Sequence, residues 1–323
     1  MSATTKIQWT DRTWNPTRGC TMVSPGCSQC YAMRQAHRFN GSGQPYEGLT
    51  RMTEHGPVWT GDVRLVPEAL LEPLRWRKPA RIFVNSMSDL FYESVPDEFI
   101  DRVFAVMALT PRHTYQLLTK RPEWMREYLS NLNYRKEQVG VEAELMSGFD
   151  RYATDSPANC AWPLPNVHLG VSVENRATAE ERIPILLETP AALRFLSVEP
   201  LLEGVDISWY LKPRSCRPDP LSPTFAIVKE VATPAIDWVI VGGESGPNAR
   251  PCNIDWIRWI VGECRTAGVP VFVKQLGAFP TGHPWLPGAA YCLRDGKGGD
   301  PAEWPHDLRV REFPETREVV ARD

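Results

Sequence analysis

The sequence has no long apolar run, no internal repeat, few histidines and no excess of either charge. A bilayer span takes about 18 or more consecutive apolar residues, and nothing here approaches that. The opening MSATTKIQWTDRTWNPTRGC lacks the apolar core of a secretory leader, which implies a cytoplasmic chain whose thiols stay reduced. Its 8 cysteines therefore do not read as a disulfide framework. Lysine and arginine number 36 against 39 acidic residues, a net charge of −3. That disfavours nucleic-acid binding through a global positive field, though not through a local basic groove. No serine–histidine–acid spacing and no phosphate-binding glycine loop occurs.

What is present is the composition of a globular protein, 42% hydrophobic and 23% charged over 323 residues. Such a length suits two domains or one (β/α) barrel with additions. Proline, at 30 residues, is scattered among ordered-looking segments, as in a loop-rich enzyme.

After residue 60 short β-branched and aromatic runs alternate with helical patterns. Strands are expected at 81–84, 114–118, 167–171, 193–196, 238–241 and 271–273. Helices are expected at 67–77, 96–109, 122–132, 177–187 and 254–267, with Ser94 capping the second and Pro96 near its first turn. Alternation of this kind predicts an α/β fold, a partial or full (β/α) barrel with helices outside the sheet. Residues 134–165 and 203–236 read as irregular insertions, and 277–323 as a loop-rich cap on a barrel spanning 1–276.

The residues that follow each strand are polar. Asn85-Ser86-Met87-Ser88-Asp89, Thr119-Lys120-Arg121, Ser172-Val173-Glu174-Asn175, Ser197-Val198-Glu199, Gly242-Gly243-Glu244 and Lys274-Gln275 include four carboxylates and two lysines. Strand-to-helix loops converge on the carboxyl end of such sheets, so these positions outline a polar pocket. His113 and His168 fall at strand starts, on the opposite side, and read as structural.

Three cysteines, Cys20, Cys27 and Cys30, stand in a C-x6-C-x2-C pattern inside WNPTRGCTMVSPGCSQCYA. Thiolates suit zinc and iron–sulfur clusters. A structural zinc has four ligands, and no fourth cysteine or histidine precedes His37. Three ligands from one loop leave an open position, as a reactive metal requires, whereas completion by His37 or Cys264 would make a zinc site. Gly19, Pro25 and Gly26 permit a tight wrap, from which amide N–H groups could reach cluster sulfurs.

A three-cysteine loop ahead of a βα series resembles the radical S-adenosylmethionine (SAM) superfamily. The segment around residues 8–32 is similar to a branch found in bacteriophages and bacteria, distantly like spore photoproduct lyase; the likeness extends more loosely to about residue 277. The commonest superfamily spacing is C-x3-C-x2-C, from which this loop departs by three extra residues. The resemblance implies a [4Fe–4S] cluster on Cys20, Cys27 and Cys30, with SAM on the fourth iron, and cleavage of SAM to a 5′-deoxyadenosyl radical that takes a hydrogen atom from substrate.

It also implies roles for the strand ends. Ser86, Ser88 and Asp89 occupy the place that holds the SAM amine, and Ser172, Glu174 and Asn175 the ribose-contacting place. Tyr31 matches an aromatic beside the adenine or over the cluster. Trp9 and Trp14 could share that role or belong to the core. Lys120 or Arg121 could meet the SAM carboxylate or a substrate phosphate. Gly242 and Gly243 could admit a ligand to the backbone, with Glu244 pairing to it, or simply turn the chain. Glu199 and Lys274 would orient substrate. The expected substrate is a nucleobase in phage DNA, such as a hypermodified thymidine that is isomerised or otherwise modified. Arg34, Arg38, Arg75, Arg77, Lys78 and Arg81 would supply a local phosphate track, or are ordinary solvated charges. A small molecule or peptide substrate, and a non-catalytic zinc-stabilised nucleic-acid-binding protein, are the alternatives. Flavodoxin or ferredoxin is the expected electron donor.

Overall fold

The computed structural model describes residues 5–148, 161–212, 235–282 and 291–315. Seven strands form one parallel sheet: β1 (Arg12–Trp14), β2 (Arg81–Val84), β3 (Thr114–Thr119), β4 (Val167–Ser172), β5 (Leu193–Val198), β6 (Trp238–Gly242) and β7 (Val271–Gln275). Their order across the sheet is their order in the chain. All six expected strands form. β1, too short for a periodicity signal, supplies one edge.

The sheet is curled into a half-barrel. The indole of Trp9 lies with its centroid 4.7 Å from the Phe83 ring of β2 and 6.3 Å from both Phe195 of β5 and Trp238 of β6. A flat sheet would hold β2 and β6 about 19 Å apart, out of one indole's reach. These rings with Ile240 and Phe272 fill the concave side as a small aromatic core. Gly170 of β4 makes room for them, since a Cβ there would lie 2.6 Å from the Phe195 ring. The opposite faces, with Ile82, Val84, Leu117, Leu169, Val239 and Val273, join the larger core under the helices.

Helices α1 (Tyr31–His37), α2 (Asp97–Ala108), α3 (Pro122–Ser130), α4 (Leu132–Ser147), α5 (Arg176–Glu188) and α6 (Ile254–Ala267) complete the main elements. On α6 the buried Ile254, Ile257, Ile260, Val261 and Cys264 make one stripe, and Gly268 ends the helix at φ 72°. Three expectations are corrected. The helix at 67–77 is broken by Pro73 into a turn, Pro67–Leu70, and a 3₁₀ turn, Pro73–Arg75. Pro96 precedes α2 rather than joining it, and Ser94 does not cap it. The first part of the supposed irregular insertion at 134–165 is α4, packed against α2, with Arg135 paired to Asp97 and Asp101. Residues 149–160 of that insertion, and 213–234 of the second, lie outside the described residues.

The chain after β7 runs back along its free edge. Val273 N–H donates to Val310 and Glu312 N–H to Val271, so this edge is paired. Phe313 then packs tilted against Trp238 and edge-on to Phe272, and the Arg81 guanidinium lies 3.9 Å from its centroid. The amino ends of β2, β6 and β7 thus meet around one ring.

Candidate functional site

A cavity of about 220 Å³ opens at the carboxyl ends of the strands. Trp9, Phe83 and Leu118 form its apolar floor, and the cysteine loop one wall. That loop is tightly held. Asn15 accepts from Ser86 Oγ and the Met87 amide, and Gly19 bridges to Ser88. Gly19 has φ 94°, and a Cβ on it would lie 2.2 Å from the Asp62 carbonyl oxygen, so only glycine serves there. A 3₁₀ turn, Pro25–Cys27, follows, and Cys30 then precedes α1. Cys20, Cys27 and Cys30 are free, half-buried and all on the cavity wall.

Beneath the loop sits Glu174, fully buried. It accepts from Ser24 Oγ at 2.9 Å, pairs with Lys120, and lies 3.3 Å from Arg182 Nη1. Gly26 rests directly on it: a Cβ there would fall 2.5 Å from Glu174 Cγ. Burial opposes the Glu174 charge, but Lys120 and Arg182 outweigh it and hold the carboxyl below its usual range.

The thiols differ accordingly. Burial and the Asp89 charge push Cys20 up to about 12, although Arg121 Nη1 lies 3.9 Å from its sulfur. Burial also raises Cys30. Burial pushes Cys27 the same way, yet Lys120, the Val23 and Ser24 amides and the Ser24 hydroxyl more than offset it, leaving this thiol below the ordinary value.

Of the residues singled out in the sequence, Cys20, Cys27, Cys30, Tyr31, Ser86, Ser88, Asp89, Lys120, Ser172, Glu199, Glu244 and Lys274 line the cavity. Tyr31 is half-exposed at the mouth, and its hydroxyl donates to the Ser86 carbonyl at 2.7 Å. Glu199 and Lys274 form an ion pair at 2.6 Å across the ends of β5 and β7, braced by Gln275. The Ser172 hydroxyl faces the cavity with no hydrogen bond among the described residues, as does that of Ser197.

Several expectations change. Asp89 accepts from the Thr119 hydroxyl and the Phe91 and Lys120 amides and pairs with Arg121, so its oxygens are already engaged. Ser88 is likewise taken up by Thr17. Glu174 supports the loop from below, outside the cavity lining, and Asn175 caps α5 by accepting from the Thr178 amide. Gly242 and Gly243 are also absent from the lining: a Cβ on Gly243 would strike the Leu276 carbonyl oxygen at 2.3 Å, so β6 and β7 need that glycine to pack. Glu244 reaches the cavity wall but is paired to Arg250. Trp14 belongs to the core and donates to the Ala69 carbonyl. The basic track is split, because Arg75, Arg77 and Lys78 precede β2 and Arg81 begins it, at the end of the sheet away from the cavity.

Arg182 and Ser24, which tie the loop to Glu174, carried no local sequence signal. Among the described residues no three His, Cys, Asp or Glu side chains gather around one point as a single metal ion requires. Neither His37 nor Cys264, the two residues considered as a fourth zinc ligand, lines the cavity.

Two solved structures of spore photoproduct lyase are similar to this chain, one a single-cysteine mutant and the other a double mutant with bound AdoMet and dinucleoside spore photoproduct. Their TM-scores are 0.35 and 0.36 at 11% identity, over 62% of this chain and 48% of theirs. The chain thus spans about half the length of those proteins. No curated protein matches the sequence. A family model described as "Protein of unknown function (DUF5131)" matches residues 4–305, nearly the whole chain, and the protein belongs to that family.

Proposed function

We propose that this protein is a radical SAM enzyme in which Cys20, Cys27 and Cys30 hold a [4Fe–4S] cluster and the cavity holds SAM and substrate. The observation that carries the reading is the placement of three free thiols on one wall of a cavity at the carboxyl ends of a parallel half-barrel. The donor set fits such a group. No histidine and no fourth cysteine lines the cavity among the described residues, which leaves one corner of a cluster for a non-protein ligand. When bound, this pair of cofactors supplies one-electron cleavage of SAM to methionine and a 5′-deoxyadenosyl radical, which takes a hydrogen atom from substrate.

The remaining work falls to side chains. Trp9 and Phe83 close the floor and keep water from the reacting centre. Ser172 and Ser197 offer unengaged hydroxyls to a bound ligand, and Ser86 and Tyr31 border the mouth. Glu199 and Lys274 orient a polar group of the substrate. An aromatic floor beneath a polar rim suits a flat heterocycle, and the substrate in this reading is a DNA nucleobase, modified or isomerised after extrusion from the stack. Flavodoxin or ferredoxin would donate the electron.

Anaerobic reconstitution tests the proposal. Wild type should bind about four irons with sulfide and release 5′-deoxyadenosine from SAM under reduction; Cys27→Ala should do neither. A wild type without iron, or a Cys27→Ala variant equal to it, would sink the reading. Gel shifts with single-stranded DNA at two salt concentrations separate a nucleic-acid substrate from a small molecule or peptide.

A further inference from the structure

The end of β3 sets two cations in succession against two different cysteines. Arg121 Nη1 lies 3.9 Å from Cys20 Sγ. Lys120 Nζ lies 3.3 Å from Ser24 Oγ, which in turn is 3.7 Å from Cys27 Sγ. Their surroundings differ in net charge. Arg121 is buried between Asp89 and Glu93, at 3.3 and 3.4 Å, so its charge is matched or exceeded locally. Lys120 shares its only ion-pair partner among the described residues, Glu174, with Arg182. Two cations on one fully buried carboxylate leave the loop above them facing one uncompensated positive charge.

We infer that Lys120 is a positioning residue that raises the reduction potential of the cluster held by the cysteine loop. The inference rests on the cluster reading proposed above. Adding an electron to a buried centre adds negative charge in a medium of low dielectric, so a nearby cation favours the reduced state. Glu174 fixes that cation beneath Ser24, and Gly26 allows the loop to lie close enough for the field to act. The Arg121–Asp89 pair, neutral as a unit, holds Cys20 in place with little net field.

The test is a redox titration of the reconstituted protein, followed by electron paramagnetic resonance, with iron content measured for each sample. Lys120→Gln keeps a donor for Ser24 and removes the charge. It should lower the ratio of reduced to oxidised cluster at fixed potential about tenfold or more, a shift of about 59 mV for one electron. Lys120→Arg should stay within about threefold of wild type. Glu174→Gln removes the countercharge instead and should move the potential the other way. Opposite shifts cannot come from loosened packing, which would move both variants alike. A Lys120→Gln protein with full iron and a potential within threefold of wild type overturns the inference, as do shifts of one sign in both variants. Should Glu174→Gln fail to fold, Lys120→Gln and Lys120→Arg decide it. Wild type without iron would instead overturn the cluster reading itself.

Discussion

Replacing Glu174 by glutamine should destabilise the fold by about 3–5 kcal/mol, the usual effect of removing one partner from a buried ion pair. The site offers little relief. Arg182 is 3% exposed at its side chain, its Nε has no hydrogen-bond partner, and its Nη1 is directed at Glu174 and the Ser172 carbonyl. Glutamine would still accept from Ser24, but Arg182 and Lys120 would face each other's charge without a counterion. A loss of this size is a large share of the 5–15 kcal/mol typical of a domain. The carboxyl of Glu174 is held below its usual value, so its stabilisation is fully present above the unfolded pKa of about 4.3 and is lost as pH falls through the lower folded value. Urea unfolding of both proteins at about pH 7, pH 4 and pH 3 measures this. The difference should be largest at neutral pH and should narrow only below about pH 4. A difference under about 1 kcal/mol at pH 7, or one that grows on acidification, would refute the assignment of Glu174 as the charged anchor of the loop.

Gly170→Ala should cost about 1–3 kcal/mol by overpacking, since its Cβ meets the Phe195 ring at 2.6 Å; thermal unfolding reads the loss directly. His168 is buried, and burial pulls its pKa down to about 4, so the unfolded chain takes up the proton first as pH falls. Stability from this group is complete above about pH 6.5 and declines by about 3 kcal/mol by pH 4, a slope that His168→Leu should remove from a pH series of unfolding curves. Lys274→Met should leave iron content unchanged and lower kcat/KM about 10–100-fold, the loss of one charge-assisted hydrogen bond to substrate. Unaltered kinetics would take the Glu199–Lys274 pair out of substrate binding.

The strands were legible because parallel strands covered on both faces become short continuous apolar runs, as VHLGVS, buried along its whole length, illustrates. The curl was not legible, since it depends on Trp9 reaching Phe83, Phe195 and Trp238 from outside any strand. Helix α4 escaped notice because its few buried residues, Val139, Gly140 and Ala143, make a narrow stripe among polar neighbours. The cysteine trio and the polar strand ends pointed to the cavity that the structure places there. Polar residues after a strand, however, serve three purposes that look alike in sequence. Ser172 faces the cavity, Glu174 supports the loop and Asn175 caps a helix. Only Asn175 had a local sign of its role, Thr178 three residues on.

The ring of Phe313, wedged among Arg81, Trp238 and Phe272, has a consequence for traffic. With Phe313 closing that end and Trp9 filling the space above it, the cysteine-lined cavity is walled off from the amino ends of the strands. Among the described residues the half-barrel is thus a blind cup, open where the cysteine loop and the carboxyl ends of the strands meet.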